Sequence, residues 1–155
     1  MGSALVRRSV FENIPEWYFY KQIWDITVPL LAYTHGDVHY LDAVTSVYRY
    51  SVPGSWTQKN LGKLERRRTN LENSVKMYDS FDKETNQRYH SIIKRKLTTI
   101  LVEILLLSNT EAVDSCAYYS RLTPIKKLEY RFFKQIGSFR LWERYIQIKR
   151  LLTGY

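Results

Sequence analysis

The sequence predicts an α+β fold that is mostly α-helical. A partial strand-and-helix segment over residues 1–58 is expected to precede a bundle of about four to five helices over residues 59–155. Residues 38–41 and 43–51 alternate or carry β-branched and aromatic side chains, a pattern that favours strands. From Lys83 to Leu107, apolar residues recur at i, i+3 and i+4, which is the spacing of one buried helix face.

The N-terminal segment begins with a predicted strand over residues 3–11. It ends at Asn13-Ile14-Pro15, because proline disfavours a helical conformation of the residue before it. A short helix is predicted from about Val28 to Thr34, with Gly36 as its C-terminal stop.

The C-terminal segment is predicted to be helical throughout. Its first helix is marked by five spaced apolar residues: Leu61, Leu64, Leu71, Val75 and Tyr78. The helix over about residues 83–107 follows, and then a short helix over residues 110–119. Two basic amphipathic helices, roughly 124–136 and 138–152, complete the chain, with a break at Gly137-Ser138.

The composition is that of a folded protein, with 45% hydrophobic and 25% charged residues in a chain of 155. The single cysteine, Cys116, excludes an intrachain disulfide, fits a reducing compartment and is expected in the core. The N-terminus lacks the apolar core of a signal peptide, and no stretch approaches the roughly 20 apolar residues of a membrane span. We therefore expect a cytoplasmic protein, either soluble or peripheral on the inner face of the cell membrane.

The positive charge is concentrated near the C-terminus. Residues 121–155 hold nine Lys and Arg against two acids, which is +7 of the formal net charge of +9. Such an excess attracts polyanions in general and does not choose between nucleic acid and anionic lipid.

Residues 23–56 contain an ordered series of features. Asp25 precedes an apolar helix that ends at His35-Gly36, a short strand follows, a second strand closes on Tyr48-Arg49, and a Gly-Ser-Trp turn comes last. This order resembles the acceptor-side half of bacterial family-2 glycosyltransferases, which have the GT-A nucleotide-sugar fold. Residues 3–8, Ser-Ala-Leu-Val-Arg-Arg, are similar to the strand just upstream in that family. The resemblance covers residues 3–58, a little over a third of the chain.

The resemblance implies an inverting enzyme that transfers a sugar from a nucleotide diphosphate sugar to a saccharide or lipid-linked acceptor. This chain would be its acceptor-side part, since neither the family's metal-binding Asp-x-Asp nor its nucleotide-binding strand has a counterpart here. We therefore expect no cofactor in this chain, a divalent Mg²⁺ or Mn²⁺ ion only with the missing donor-binding half, and no activity alone. His35, His39 and His90 show no metal-ligand spacing, so no metal site is predicted.

The candidate site residues follow from the same resemblance. Asp25 takes the role of the catalytic base that removes a proton from the acceptor hydroxyl, although a carboxylate that caps the helix would occupy the same position. The candidate substrate-binding residues are Arg49, Tyr48, Trp56 and Trp24. Arg49 would neutralise phosphate charge or orient the acceptor, and Trp56 would stack on a sugar face. A strand-end arginine and a buried turn tryptophan are the structural alternatives.

The basic tail has three interpretations. On a helical projection of residues 139–152, an apolar cluster is flanked by Trp142, and three arginines fall outside it. This pattern predicts contact with an anionic membrane surface through Arg140, Trp142, Arg144 and Arg150. A helix packed on its neighbours is the second interpretation. Nucleic acid is the least favoured partner, because no helix-turn-helix, zinc-finger or RNA-recognition signature is present.

Overall fold

The computed structural model describes residues 4–20, 24–47, 55, 63–108 and 113–153, with the backbone alone at positions 24, 25, 113–116, 150 and 153. The chain divides into two units, Met1–His90 and Ser91–Tyr155. The sequence placed its domain boundary at residue 58, which lies outside the described residues.

Every regular element in the described residues is a helix. Two 3-10 helices, Arg8–Phe11 and Glu16–Phe19, precede the α-helices in the described part of the chain. The α-helices are α1 (Trp24–His35), α2 (Leu64–Glu84), α3 (His90–Leu107), α4 (Val113–Ser120), α5 (Pro124–Ile136) and α6 (Phe139–Thr153).

The predicted α+β class is therefore wrong, and no GT-A-like strand segment is seen in the described residues. Residues 4–7 have no regular structure, and residues 8–11 form a 3-10 helix. Residues 38–47 also form no strand, and a backbone hydrogen bond there joins the Ala43 N–H to the Leu41 carbonyl oxygen at 2.9 Å. The physical reason is that β-branched side chains suit a pleated surface, but a strand is stable only beside a neighbouring strand. Residues 48–51 of the second predicted strand lie outside the description.

The first unit is built around an aromatic core. Trp17 is 1% exposed and packs edge-to-face on Phe81 of α2, with ring centroids 5.2 Å apart. Phe81 in turn stacks on Tyr89 at 5.8 Å. Helix α1 packs on both 3-10 helices and contributes the buried Leu31. Rings dominate here because each buries a large apolar area.

A tight turn ends α2. Asn86 and Gln87 have positive φ angles of 51° and 60°, so the chain reverses before α3 begins at His90. His90 Nδ1 lies 2.7 Å from Asp82 Oδ2 across the turn. The sequence started the long helix at about residue 83, because the apolar periodicity continues through a turn that it does not mark.

In the second unit, α3 supplies most of the buried apolar side chains: Ile93, Leu97, Ile100, Leu101, Val102, Ile104 and Leu105. The predicted break at Gly137-Ser138 is confirmed. Gly137 ends α5 in the left-handed conformation (φ 66°), and the Ser138 hydroxyl accepts the Leu141 N–H at 3.3 Å in the first turn of α6. A proline at the first position of α5 favours its start there.

Candidate functional site

The candidate sugar-transfer residues fall largely outside the described part of the chain. Tyr48, Arg49 and Trp56 are not described, and only the backbone is described at Trp24 and Asp25. Asp25 is the second residue of α1, a position where a carboxylate is favoured by the helix dipole. The catalytic and capping roles of Asp25 both stay predictions.

Among the described residues, no group of three or more His, Cys, Asp or Glu side chains could hold a metal ion. In the first unit, an open depression of about 440 Å³ is lined by Glu16, Trp17, Tyr20, Ser80, Lys83, Glu84 and Asn86. Its Tyr20 hydroxyl bonds to the Glu16 carboxylate, which raises the pKa of Tyr20. Its lining mixes acidic, basic and apolar groups and selects no ligand class.

Helices α5 and α6 form a hairpin joined at Glu129, whose side chain is 12% exposed. Glu129 Oε1 accepts hydrogen bonds from the Tyr145 hydroxyl at 3.0 Å and the Lys149 ammonium at 3.1 Å. Oε2 accepts one from the Lys126 ammonium at 2.6 Å. Phe133 packs on Tyr145 with ring centroids 5.3 Å apart. The helices are antiparallel, because the later residue on α5, Phe133, contacts the earlier residue on α6, Tyr145, while Glu129 reaches on to Lys149.

Opposing effects act on the charges at this junction. Burial tends to raise the pKa of Glu129, but the hydrogen bonds and charge of Lys126, with those from Lys149 and Tyr145, outweigh it and lower the pKa. The pKa of Lys149 is raised by its hydrogen bond with Tyr145 and by the nearby Glu129 carboxylate, although burial tends to lower it. The carboxylate is thus held ionised and neutralised between the two helices.

The hairpin exposes a stripe of large apolar side chains on each helix. The α5 stripe is Ile125, Leu128, Phe132 and Ile136, which are 72%, 70%, 57% and 45% exposed. The α6 stripe is Leu141, Ile148 and Leu152, which are 45%, 56% and 81% exposed. Their spacing of three, four or seven residues keeps each stripe on one side of its helix.

Both stripes lie on the same side of the hairpin. At about 100° of rotation per residue, the α5 stripe lies about 75° from the contact face of Glu129 and Phe133. The α6 stripe lies about 60° from the contact face of Tyr145 and Lys149, in the same rotational sense. Two antiparallel helices in contact are related by a twofold axis that is perpendicular to the plane containing both helices. Stripes that are rotated from their contact faces by similar angles in the same sense therefore lie on the same side of the hairpin. We call these seven residues the apolar surface.

Basic residues border the apolar surface along α6. Arg140 and Arg144 are exposed and lie on the side of the α6 stripe away from α5, while the Arg150 side chain is not described. Trp142, which the sequence placed at the membrane, is 2% exposed and stacks on Phe139 at 5.7 Å. Tyr145 faces Glu129 instead of joining the exposed stripe.

The α5 stripe was missed because only residues 139–152 were projected onto a helix. The same projection of residues 124–136 would have found it, since Ile125, Leu128 and Phe132 are spaced by three and four. No helix in the described part of the chain is long and apolar enough to cross a membrane.

Comparison with protein-family models, with curated proteins and with solved structures finds no match to this chain. The apolar surface and its basic border are therefore interpreted from their own chemistry.

Proposed function

We propose that this protein binds an anionic membrane surface through the α5–α6 hairpin. The hairpin would lie in the plane of the interface, with the apolar surface toward the acyl chains and the basic residues at the level of the head groups. The observation that carries the proposal is the alignment of two exposed apolar stripes on one side of a segment with a net charge of +7.

The apolar side chains and the basic residues contribute different terms to the free energy of membrane binding. Full burial of a large apolar side chain contributes about 1.5–3 kcal/mol, and insertion at the interface recovers part of it. Each basic residue near an anionic membrane contributes about 1 kcal/mol, a term that salt screens. Glu129 subtracts little from the attraction, because Lys126 and Lys149 already neutralise it.

Lipid fits this side of the hairpin better than nucleic acid does. Phosphate groups of a nucleic acid would pair with Arg140 and Arg144 but would leave the seven apolar side chains in water. Exposed apolar patches of this kind mark interaction sites on folded proteins.

Sugar transfer stays a prediction. The side chains to which the resemblance gives roles are not described, and residues 38–47 lack the strand that the GT-A arrangement needs. Membrane binding does not depend on it, because the hairpin lies in another part of the chain.

The test is co-sedimentation of the full chain with phosphatidylcholine vesicles, with and without phosphatidylserine. We expect binding to the anionic vesicles that salt weakens without abolishing. Replacing Leu128 and Phe132 together by serine should lower the affinity at least about tenfold, because part of two large burial terms is lost. Ile92→Ser is the control, since Ile92 is 60% exposed and belongs to α3 rather than to the hairpin.

A Phe132→Trp variant provides an optical readout, because residue 132 is at the surface. Its emission should shift to shorter wavelength with anionic vesicles and be quenched by lipids brominated in the acyl chains. Equal binding of the double serine variant and the Ile92 control, or no binding to anionic vesicles, would overturn the proposal. Self-association of the protein that the double variant abolishes would assign the apolar surface to a second copy.

A further inference from the structure

A second cluster lies on the other side of α5. The Tyr119 ring of α4 packs on the Tyr130 ring of α5 at 5.7 Å and 62°. The Lys127 ammonium lies 5.2 Å over Tyr119, and the Lys134 ammonium lies 5.5 Å over Tyr130. Arg131 Nε donates to the Tyr119 hydroxyl at 3.0 Å. We call these five residues the basic–aromatic cluster.

In the part of the chain that the structure describes, the three cations of the cluster have no acidic partner. Lys127, Arg131 and Lys134 make no salt bridge within the described residues, and they recur at i, i+4 and i+7 on one side of α5. The acid of the same helix, Glu129, is turned toward α6 and already accepts three hydrogen bonds. The cluster therefore presents uncompensated positive charge.

The tyrosines hold these cations in place. Ring faces attract the two ammonium groups, and the Tyr119 hydroxyl orients the Arg131 guanidinium. The terminal amino groups of Arg131 make no hydrogen bond in the part of the chain that is described. Donors fixed before binding lose less freedom when an anion arrives, and a guanidinium beside two ammonium groups suits phosphate oxygens.

The cluster faces away from the apolar surface. Lys127, Tyr130 and Lys134 are rotated by about 145–165° from the α5 stripe, and Arg131 by about 105°. A membrane that covers the apolar surface would therefore leave most of the cluster in the aqueous phase.

We infer that the basic–aromatic cluster is a binding site for a soluble anion with several phosphate groups. The three cations span seven residues of α5, or about 10 Å, which is the length of a small polyphosphate. A single strand of nucleic acid fits less well, because stacking needs open ring faces. Here each tyrosine carries a lysine, and the two rings pack against each other. The site does not rest on membrane binding.

The experiment is calorimetric titration of the full chain, without lipid, with inorganic tripolyphosphate and then with orthophosphate. We expect one site for tripolyphosphate, at least about tenfold tighter than for orthophosphate, since one phosphate group reaches fewer of the cations. Replacing Lys127, Arg131 and Lys134 by glutamine should weaken tripolyphosphate binding by at least tenfold.

A control variant with Arg66, Lys76 and Lys94 replaced by glutamine loses the same charge at exposed positions elsewhere. It should keep the affinity within about threefold, because these three charges are not part of the cluster and are screened by salt. Tyr119→Phe should weaken binding less than the triple cluster variant does, since the ring remains while the contact that orients Arg131 is lost. Circular dichroism of each variant verifies that it is folded.

Four results would overturn the inference. The first is the absence of tripolyphosphate binding, and the second is an equal loss in the cluster and control variants. The third is displacement of bound tripolyphosphate by phosphatidylserine vesicles, which would place the cluster against lipid. Tighter binding of single-stranded RNA than of tripolyphosphate at matched salt would also reject it in favour of a nucleic-acid site.

Discussion

At the scale of single residues, the contact between α5 and α6 depends on the carboxylate of Glu129. Its two oxygens accept bonds from α5 itself, through Lys126, and from α6, through Tyr145 and Lys149. A largely buried carboxylate with several donors is stabilising only while its partners remain, because a buried carboxylate without them bears a desolvation cost. The apolar surface therefore depends on a polar contact beneath it.

Glu129→Gln should destabilise the protein at neutral pH by about 1–2 kcal/mol, measured as a lower denaturation midpoint. The amide keeps the shape but loses the charge that attracts both lysines. Glu12→Gln is the control, since Glu12 is exposed in the first unit. An unchanged midpoint would mean that water replaces the three hydrogen bonds without cost.

The same residue predicts a pH dependence. The pKa of Glu129 in the folded protein is lowered from its usual value of 4.5, so its contribution to stability is complete above that value. It should be lost as pH falls below 4.5 through the folded pKa. The difference in midpoint between the wild type and Glu129→Gln should therefore be constant near neutrality and shrink in acid. A constant difference down to acid pH would contradict the ionised state of Glu129.

At the scale of elements, the hairpin turns at one glycine. Gly137 has a φ of 66°, and an added Cβ there would meet no atom within 4 Å, so conformation and not space requires glycine. Gly137→Ala should cost about 1 kcal/mol of stability. Gly137→Asn should cost clearly less, because asparagine tolerates the left-handed region. Thermal denaturation of both variants tests this, and equal losses would argue against a conformational origin.

The helices and the strands differed in how well the sequence predicted them. The break at Gly137-Ser138 was predictable because a C-terminal glycine and a serine in the next first turn are local signals. The strand predicted over residues 38–41 is wrong, because a β-branched composition does not provide the neighbouring strand that a strand needs. The sequence also did not predict that α3 starts at His90, because the turn before it has no glycine or proline. Two non-glycine residues with positive φ, Asn86 and Gln87, make the turn, and they carry no strong sequence mark.

The candidate surface was predictable in part. Amphipathicity and charge in residues 139–152 indicated an interfacial helix, but periodicity does not tell which of two apolar faces is buried. The structure buries Trp142 and Ile146 and exposes Leu141, Ile148 and Leu152. That choice depends on long-range contacts such as that between Glu129 and Tyr145, which a single helix does not contain.

At the scale of the whole molecule, the uneven charge gives the chain a preferred way to meet an anionic surface. Residues 121–155 hold +7 of the net +9, so the opposite field of a membrane attracts this segment first. The apolar surface is in the same segment. The attraction and the insertion that we propose would therefore act on the same two helices.

Replacing Arg140 and Arg144 together by glutamine should weaken binding to anionic vesicles about thirtyfold, from roughly 1 kcal/mol for each charge. Binding to neutral vesicles should change little, because the apolar surface is intact. Lys76→Gln combined with Lys94→Gln is the matched control of equal charge loss at exposed positions. Equal weakening by both pairs would show that net charge alone, and not its place on α6, controls association.

The burial of Trp142 has an optical consequence for every such measurement. An indole that is 2% exposed and stacked on Phe139 emits as a ring shielded from water in the folded hairpin. In a variant in which the other three tryptophans are replaced, its emission would report the packing of the buried face of α6 rather than contact with lipid. Unchanged emission when all of the protein is bound to vesicles would show that α6 keeps its packing on the membrane, and a shift would show that Trp142 leaves its buried environment.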